Sequence, residues 1–349
     1  MRKLVLLAVV GLLAQLVDGS LGMAYGVTTT TLLLAIGTNP AAASATVHLA
    51  EIGTTLVSGA SHWRFGNVDW PVVLKIGLPG AVGAFAGATF LASLDTSTAK
   101  PIMSGILLAL GLYVLLRFTF KGLRKDRLGT PLRKRFLAPL GLFGGFVDAT
   151  GGGGWGPVST STLMAIGREQ PRRIVGTVNA AEFLVTLGAT AGFIVGLWHD
   201  IVANLAAVIA LLIGGAITAP IAAWLISRIN PVLLGGLVGT AIVGLNISKV
   251  IGGAETYFGW AVPAAVTPVA IAVVVAAGVA ATIRGALRTR RARAAELEAE
   301  NAEEAAHADF HAPDYPERVA AAHRVHGSGK SGVTIVQDKA PESPAADRA

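Results

Sequence analysis

The chain has 349 residues, 53% of them hydrophobic and only 14% charged, with a mean hydropathy of +0.62. A water-soluble domain carries about 25% charged residues, so most of this surface is built to face something other than water. There is no cysteine, which excludes disulfides, thiol nucleophiles and thiolate metal centres, and the net charge of +7 gathers between apolar runs and just after the last one, as in cytoplasmic loops rather than in a nucleic-acid footprint.

In chain order, apolar segments fall at 4–17, 26–36, 41–60, 71–92, 98–118, 136–147, 157–166, 174–196, 201–226, 231–251 and 261–283. The opening "MRKLVLLAVVGLLA" has a basic start and an apolar run but no small-x-small cleavage site, and it reads as a retained membrane segment. Most later segments reach the roughly 20 residues needed to cross a hydrocarbon core about 30 Å thick. The pairs 4–17 with 26–36, and 136–147 with 157–166, are shorter, since a helix of about 12 residues rises only about 18 Å. Each short pair is joined by a glycine-rich break, "DGSLGMAYG" at 18–26 and "DATGGGGWGP" at 148–157.

The two breaks belong to an internal repeat. At an offset of 130, Asp18 falls on Asp148, Gly22 on Gly152, Tyr25 on Trp155, Gly26 on Gly156 and Thr30 on Thr160. One inserted residue later, at an offset of 131, Pro40 meets Pro171, Thr46 meets Thr177, His48 meets Asn179, Glu51 meets Glu182 and Asp69 meets Asp200. The predicted architecture is an all-α polytopic membrane protein with two sequence-related repeats, each a re-entrant or broken-helix hairpin followed by three or four transmembrane helices. The basic stretch 117–135 and the cluster Arg284, Arg288, Arg290, Arg291 and Arg293 are both expected in the cytoplasm; re-entrant hairpins then make the repeats inverted. The expected divisions are 1–120 for the first repeat, 121–135 for a basic cytoplasmic loop, 136–283 for the second repeat and 284–349 for a polar, disordered cytoplasmic tail.

Irregular backbone at membrane depth survives only where protein or a wet cavity satisfies its amides. A half-helix starting after such a break presents free N–H groups and about half a positive charge. Hydroxyls follow both breaks, so the expected anion site comprises Gly22, Tyr25, Gly26, Thr30 and Thr46 from the first repeat. From the second it comprises Gly152, Gly153, Gly154, Trp155, Gly156, Ser159, Thr160, Thr177 and Asn179. Helix packing by small residues is the competing reading for each of these. Glu51, Glu182 and His48 are the candidates for coupling to protons, since intramembrane ionisable groups default to function. Asp18 and Asp148, just ahead of the turns, are expected to bond nearby amides.

At these residues the chain resembles the sulfite exporter TauE/SafE family of membrane transporters, through "GGFVDATGGGGWGP" (144–157), "QPRRIVGTVNAAE" (170–182) and "RFGNVDW" (64–70). The resemblance covers residues 4–283 and implies transport of sulfite, sulfoacetate or other organosulfonates across the cytoplasmic membrane. The first repeat departs from the family pattern, with Met23 and Ala24 where the second has Gly153 and Gly154. A passive anion channel is an alternative. An intramembrane enzyme would need a nucleophile with a base, or a metal set, and histidines are too sparse for either. No cofactor or metal is expected; the expected partners are the lipid bilayer, a small anionic substrate and, as an option left open, a second copy in a homodimer.

Overall fold

The computed structural model describes residues 2–21, 23–120, 134–166, 171–226 and 231–310. Among them every regular element is a helix. The first half comprises α1 (Arg2–Leu21), α2 (Tyr25–Ala35), α3 (Pro40–Arg64), α4 (Trp70–Ser93) and α5 (Thr96–Phe120). The second comprises α6 (Lys134–Gly151), a π-helical turn (Gly156–Thr160) running into α7 (Ser161–Ile166), α8 (Pro171–Ala203), α9 (Leu205–Ile226) and α10 (Pro231–Phe258). Finally α11 spans Val266–Phe310. The chain divides into two compact units, Met1–Ala286 and Leu287–Ala349. The first carries the repeats, and the described part of the second is the polar end of α11. Most of the loop expected at 121–135 and the tail beyond 310 lie outside the described residues.

Among the described residues five helices are long and apolar enough to cross a membrane: α4, α5, the Arg173–His199 part of α8, the Val232–Phe258 part of α10, and Val266–Glu303 of α11. The glycine breaks are present, but the limbs they join are unequal. α1 has 20 residues and α6 has 18, about 30 and 27 Å of rise, longer than the short segments read from hydropathy. Asp18 and Asp148 end the apolar runs without ending the helices. Only the second limbs are short: α2 has 11 residues.

Matched helices pack on each other or in exchanged pairs. α3 lies on α8 and α5 on α10, while α1 packs on α9 as α6 packs on α4. Small residues bring these backbones together. A β-carbon on Gly11 would stand 2.9 Å from the Leu211 Cα, and one on Gly141, its match in the repeat, 3.2 Å from the Ile76 Cα. α5 and α10 run antiparallel, because Gly111 meets Ile242 while Gly253 meets Pro101. α3 and α8 do so too, with His48 beside Phe193 and Ser58 beside Asn179. Local chemistry sets the ends: Asn39 caps α3 by accepting the Ala41 amide at 2.9 Å, and Asp69 caps α4 through the Val72 amide at 3.2 Å. Exposed Trp63 and Trp70 meet edge to face, 6.1 Å apart, at the α3–α4 turn, which suits the aromatic belt of a bilayer interface.

Candidate functional site at the crossed helix breaks

Each half-helix begins under a carboxylate supplied by the limb before it. Asp18 Oδ1 accepts the Tyr25 amide at 3.2 Å and Asp148 Oδ1 accepts the Trp155 amide at 2.9 Å. The same seven-residue bond thus closes both breaks and satisfies one orphan donor in each. Gly153 adds a second closure by donating to the Asp148 carbonyl at 2.8 Å.

The breaks touch. A β-carbon on Gly26 would stand 2.7 Å from the Gly153 Cα and 2.9 Å from Glu51 Oε1. One on Gly153 (φ +136°) would run into the carbonyl carbon of Gly26 and the amide nitrogen of Val27. The exchanged contact is present as well: a β-carbon on Gly156 would stand 2.9 Å from the Met23 Cβ. Met23 therefore occupies the place that Gly153 holds in the other half. Thr30 Oγ1 donates to the Gly152 carbonyl, tying α2 to the opposite break.

At this crossing lies a cavity of about 10 Å³, room for about one water, bounded by Gly26, Gly153, Gly154, Gly156 and Asn179 and by four acids, Asp18, Glu51, Asp148 and Glu182. A neighbouring chamber of about 60 Å³ shares Asp18, Tyr25, Glu51, Asn179 and Glu182 and adds Gln15, Thr54, Thr55 and Ser58. No lysine or arginine lines either space among the described residues. Donors come instead from the Asn179 amide, from Tyr25, whose buried hydroxyl has no partner among the described residues, and from the first turn of α2, where a helix offers Gly26 and Val27 no acceptor. So many carboxyl groups in one low-dielectric space require compensating positive charge before an anion can enter.

His48 sits at the edge of this cluster, wholly buried. Its Nδ1 lies 2.8 Å from the Ser44 carbonyl and its Nε2 lies 3.1 Å from Asp148 Oδ2. His48, Glu51 and Asp148 each offer one atom within 4.8 Å of the other two, a corner that could hold a small cation. Glu51 Oε2 is buried without a partner among the described residues.

The expected site residues therefore separate. Tyr25, Gly26, Gly153, Gly154, Gly156, Asn179, Glu51 and Glu182 share the pocket. Trp155 does not line it. Its ring is fully buried, its Nε1–H donates to the Val178 carbonyl at 3.0 Å, and it packs where a β-carbon on Gly80 would come within 2.9 Å of Cζ3. Thr46 bonds back to the Ala42 carbonyl at 2.7 Å, and the Thr177 hydroxyl accepts the Asp69 amide at 2.9 Å, at the start of α4. Thr30 and Gly152 are occupied with each other. Ser159 and Thr160 are buried within the π-helical turn itself, and Gly22 lies outside the described residues. Sequence reasoning gave Asp18 and Asp148 amide bonds but no place in the wall of the cavity, and it missed Gln15, Thr54, Thr55 and Ser58. The usable signal was Gln15 three residues before Asp18, two polar groups on one face of an apolar helix.

A family model described as "Sulfite exporter TauE/SafE" matches residues 7–249. The chain is 52% identical over 255 residues to the "Probable membrane transporter protein YtnM" of Bacillus subtilis (strain 168), covering 72% of this chain and 84% of that protein. It is 28% identical over 148 residues to the "Probable membrane transporter protein YdhB" of the same organism, covering 42% of this chain and 60% of that protein. No solved structure gives a significant match. With the family model spanning well over half of its length, the chain belongs to the sulfite exporter TauE/SafE family.

Proposed function

We propose that this protein is a secondary transporter that carries small sulfur-containing anions, such as sulfite, sulfoacetate or other organosulfonates, across the cytoplasmic membrane. The anion binds where the two breaks cross, against the amides of Gly26, Gly154 and Gly156, with Tyr25 and Asn179 completing its hydrogen bonds. Protons enter with it on Glu51, Glu182 and His48, because a pocket with four acids and no basic side chain repels an unaccompanied anion. The observation that carries this reading is the backbone contact of Gly26 with Gly153 beside Glu51, irregular backbone that borders a polar cavity.

The two halves act as inverted repeats. What supports this is the exchanged pairing of α1 with α9 and α6 with α4, together with the antiparallel course of α3 on α8 and α5 on α10. The basic stretches after α5 and in α11 face the cytoplasm.

The test is counterflow of labelled sulfite and of a small sulfonate in liposomes containing the purified chain. Asn179→Ala and Glu182→Gln are each expected to reduce saturable exchange by about tenfold or more, the loss of one charge-assisted hydrogen bond in a dry site. Unchanged exchange in both variants removes the site, and flux that never saturates turns the carrier into a channel.

A further inference from the structure

His48 and Glu51 stand three residues apart on α3, on one face of the helix. Asp148 reaches them from α6, in the other half of the chain. The three residues are 0, 3 and 1% exposed, and each offers one atom within 4.8 Å of the other two. His48 Nε2 and Asp148 Oδ2 are 3.1 Å apart, close to the spacing of about 3.3 Å between two ligand atoms that share one tetrahedral ion. Both are held from behind. His48 Nδ1 lies 2.8 Å from the Ser44 carbonyl oxygen, and Asp148 Oδ1 accepts the Trp155 amide at 2.9 Å; such outer bonds orient ligating imidazoles and carboxylates. Glu51 borders the same cavity as Asp148, and its Oε2 is buried there without a partner among the described residues.

The donor set selects its ligand. One imidazole with two carboxylates suits a divalent transition metal such as zinc, whereas magnesium and calcium take oxygen ligands throughout. Two carboxylates also offset the charge of such an ion, which burial in a low dielectric requires. The cavity of about 10 Å³ bordered by Glu51 and Asp148 has room for one water, enough to complete four-coordination. The matching corner of the repeat lacks the nitrogen. Asn179 stands in the place of His48, and its amide donates to the Ser58 hydroxyl at 3.1 Å. One ion per chain is therefore the expected load.

We propose that His48 Nε2, Asp148 Oδ2 and the Glu51 carboxylate form an inhibitory site for one divalent transition-metal ion, which clamps α3 to α6. The site stands on its own geometry, and its effect rests on the transporter reading above. Because the ligands come from both halves, the bound ion is a cross-link, and α3 and α6 cannot part while it stays. It also occupies His48 and Glu51, two groups that the transport cycle needs free. Binding is coordination alone, with no covalent bond broken and no electron transferred.

Zinc binding to the purified full chain tests the site apart from transport. The background carries His307→Ala, His311→Ala, His323→Ala and His326→Ala, which removes the histidines of the polar tail as competing ligands. After stripping with a chelator, this chain is expected to take up one zinc ion saturably and to melt at a higher temperature with zinc than without it. His48→Asn, which installs the residue of the matching position, and Glu51→Gln are each expected to weaken uptake by about tenfold or more and to abolish the melting shift. Absence of saturable uptake overturns the proposal, as does unchanged affinity in either variant. In liposomes zinc is expected to arrest sulfite counterflow and a chelator to restore it; counterflow that saturating zinc leaves unchanged or accelerates overturns the clamp. If the wild type moves no sulfur anion while zinc uptake depends on His48 and Glu51, the substrate reading fails and the metal site stands.

Discussion

Gly153 has no freedom to be anything else. Its φ of +136° excludes L side chains, and the atoms a β-carbon would strike belong to the backbone of Gly26 and Val27, which cannot step aside. Gly153→Ala is expected to destabilise the protein by about 3 kcal/mol or more, combining backbone strain with overpacking. Gly37 (φ +90°) has open space around it, so Gly37→Ala isolates the strain alone, at about 1 kcal/mol. Melting of both variants in detergent checks the difference, and equal losses would mean that the crossing is loose. At this scale much was legible: glycines, acids and the asparagine that met in the cavity had all stood out as breaks or as charges inside apolar runs. The partners of the hydroxyls were not legible. Thr177 turns to the Asp69 amide and Thr46 to its own helix because a threonine in an apolar helix satisfies itself with the nearest acceptor or donor, and spacing does not reveal which that is.

Helix ends depend on short polar side chains. Asp95, exposed in the α4–α5 turn, accepts from the Ser97 hydroxyl and, at 2.9 and 2.8 Å, from the Thr98 amide and hydroxyl. These bonds, the Ser97 hydroxyl first, hold its pKa at about 2 against an ordinary 3.8. A depressed carboxylate stabilises the fold above its unfolded value and loses that contribution as pH falls through the folded one. Asp95→Ala is therefore expected to lower the melting temperature at neutral pH, and the gap to the wild type should close between about pH 4 and pH 2. A gap that persists at pH 2 would show that the cap works without its charge. Hydropathy located every helix yet misjudged α1 and α6, since a window that counts apolar residues stops at Asp18 and Asp148 whereas backbone hydrogen bonding does not. The reverse holds for α3: its segment 41–60 reads as a span, yet its inward polar face leaves the helix outside those that qualify by length and composition.

Over the whole molecule, two copies of one helical plan interlock so that each completes the other's core. Because the chain contains no cysteine, single cysteines report on topology without background. Ile36 and Ile166 occupy matching positions at the ends of the two half-helices. Ile36→Cys and Ile166→Cys are expected to react with an impermeant maleimide from opposite sides of the membrane; labelling from one side would make the repeats parallel. The duplication was legible because Asp, Glu, Pro and Thr recur in step through a background of alanine and leucine. The inequality between the copies was visible only as single letters, Tyr25 against Trp155 and Gln15 against Gly145, and their effect depends on volumes in three dimensions.

That inequality has a consequence. The Trp155 indole fills the space between α4, α6 and α8, whereas its counterpart Tyr25 borders an open chamber. One molecule thus displays a stoppered flank and an unstoppered one side by side. If the cycle swaps them, the indole must leave its dry socket and surrender its bond to Val178. A variant stripped of the other five tryptophans among the six would then glow redder each time the far door opens.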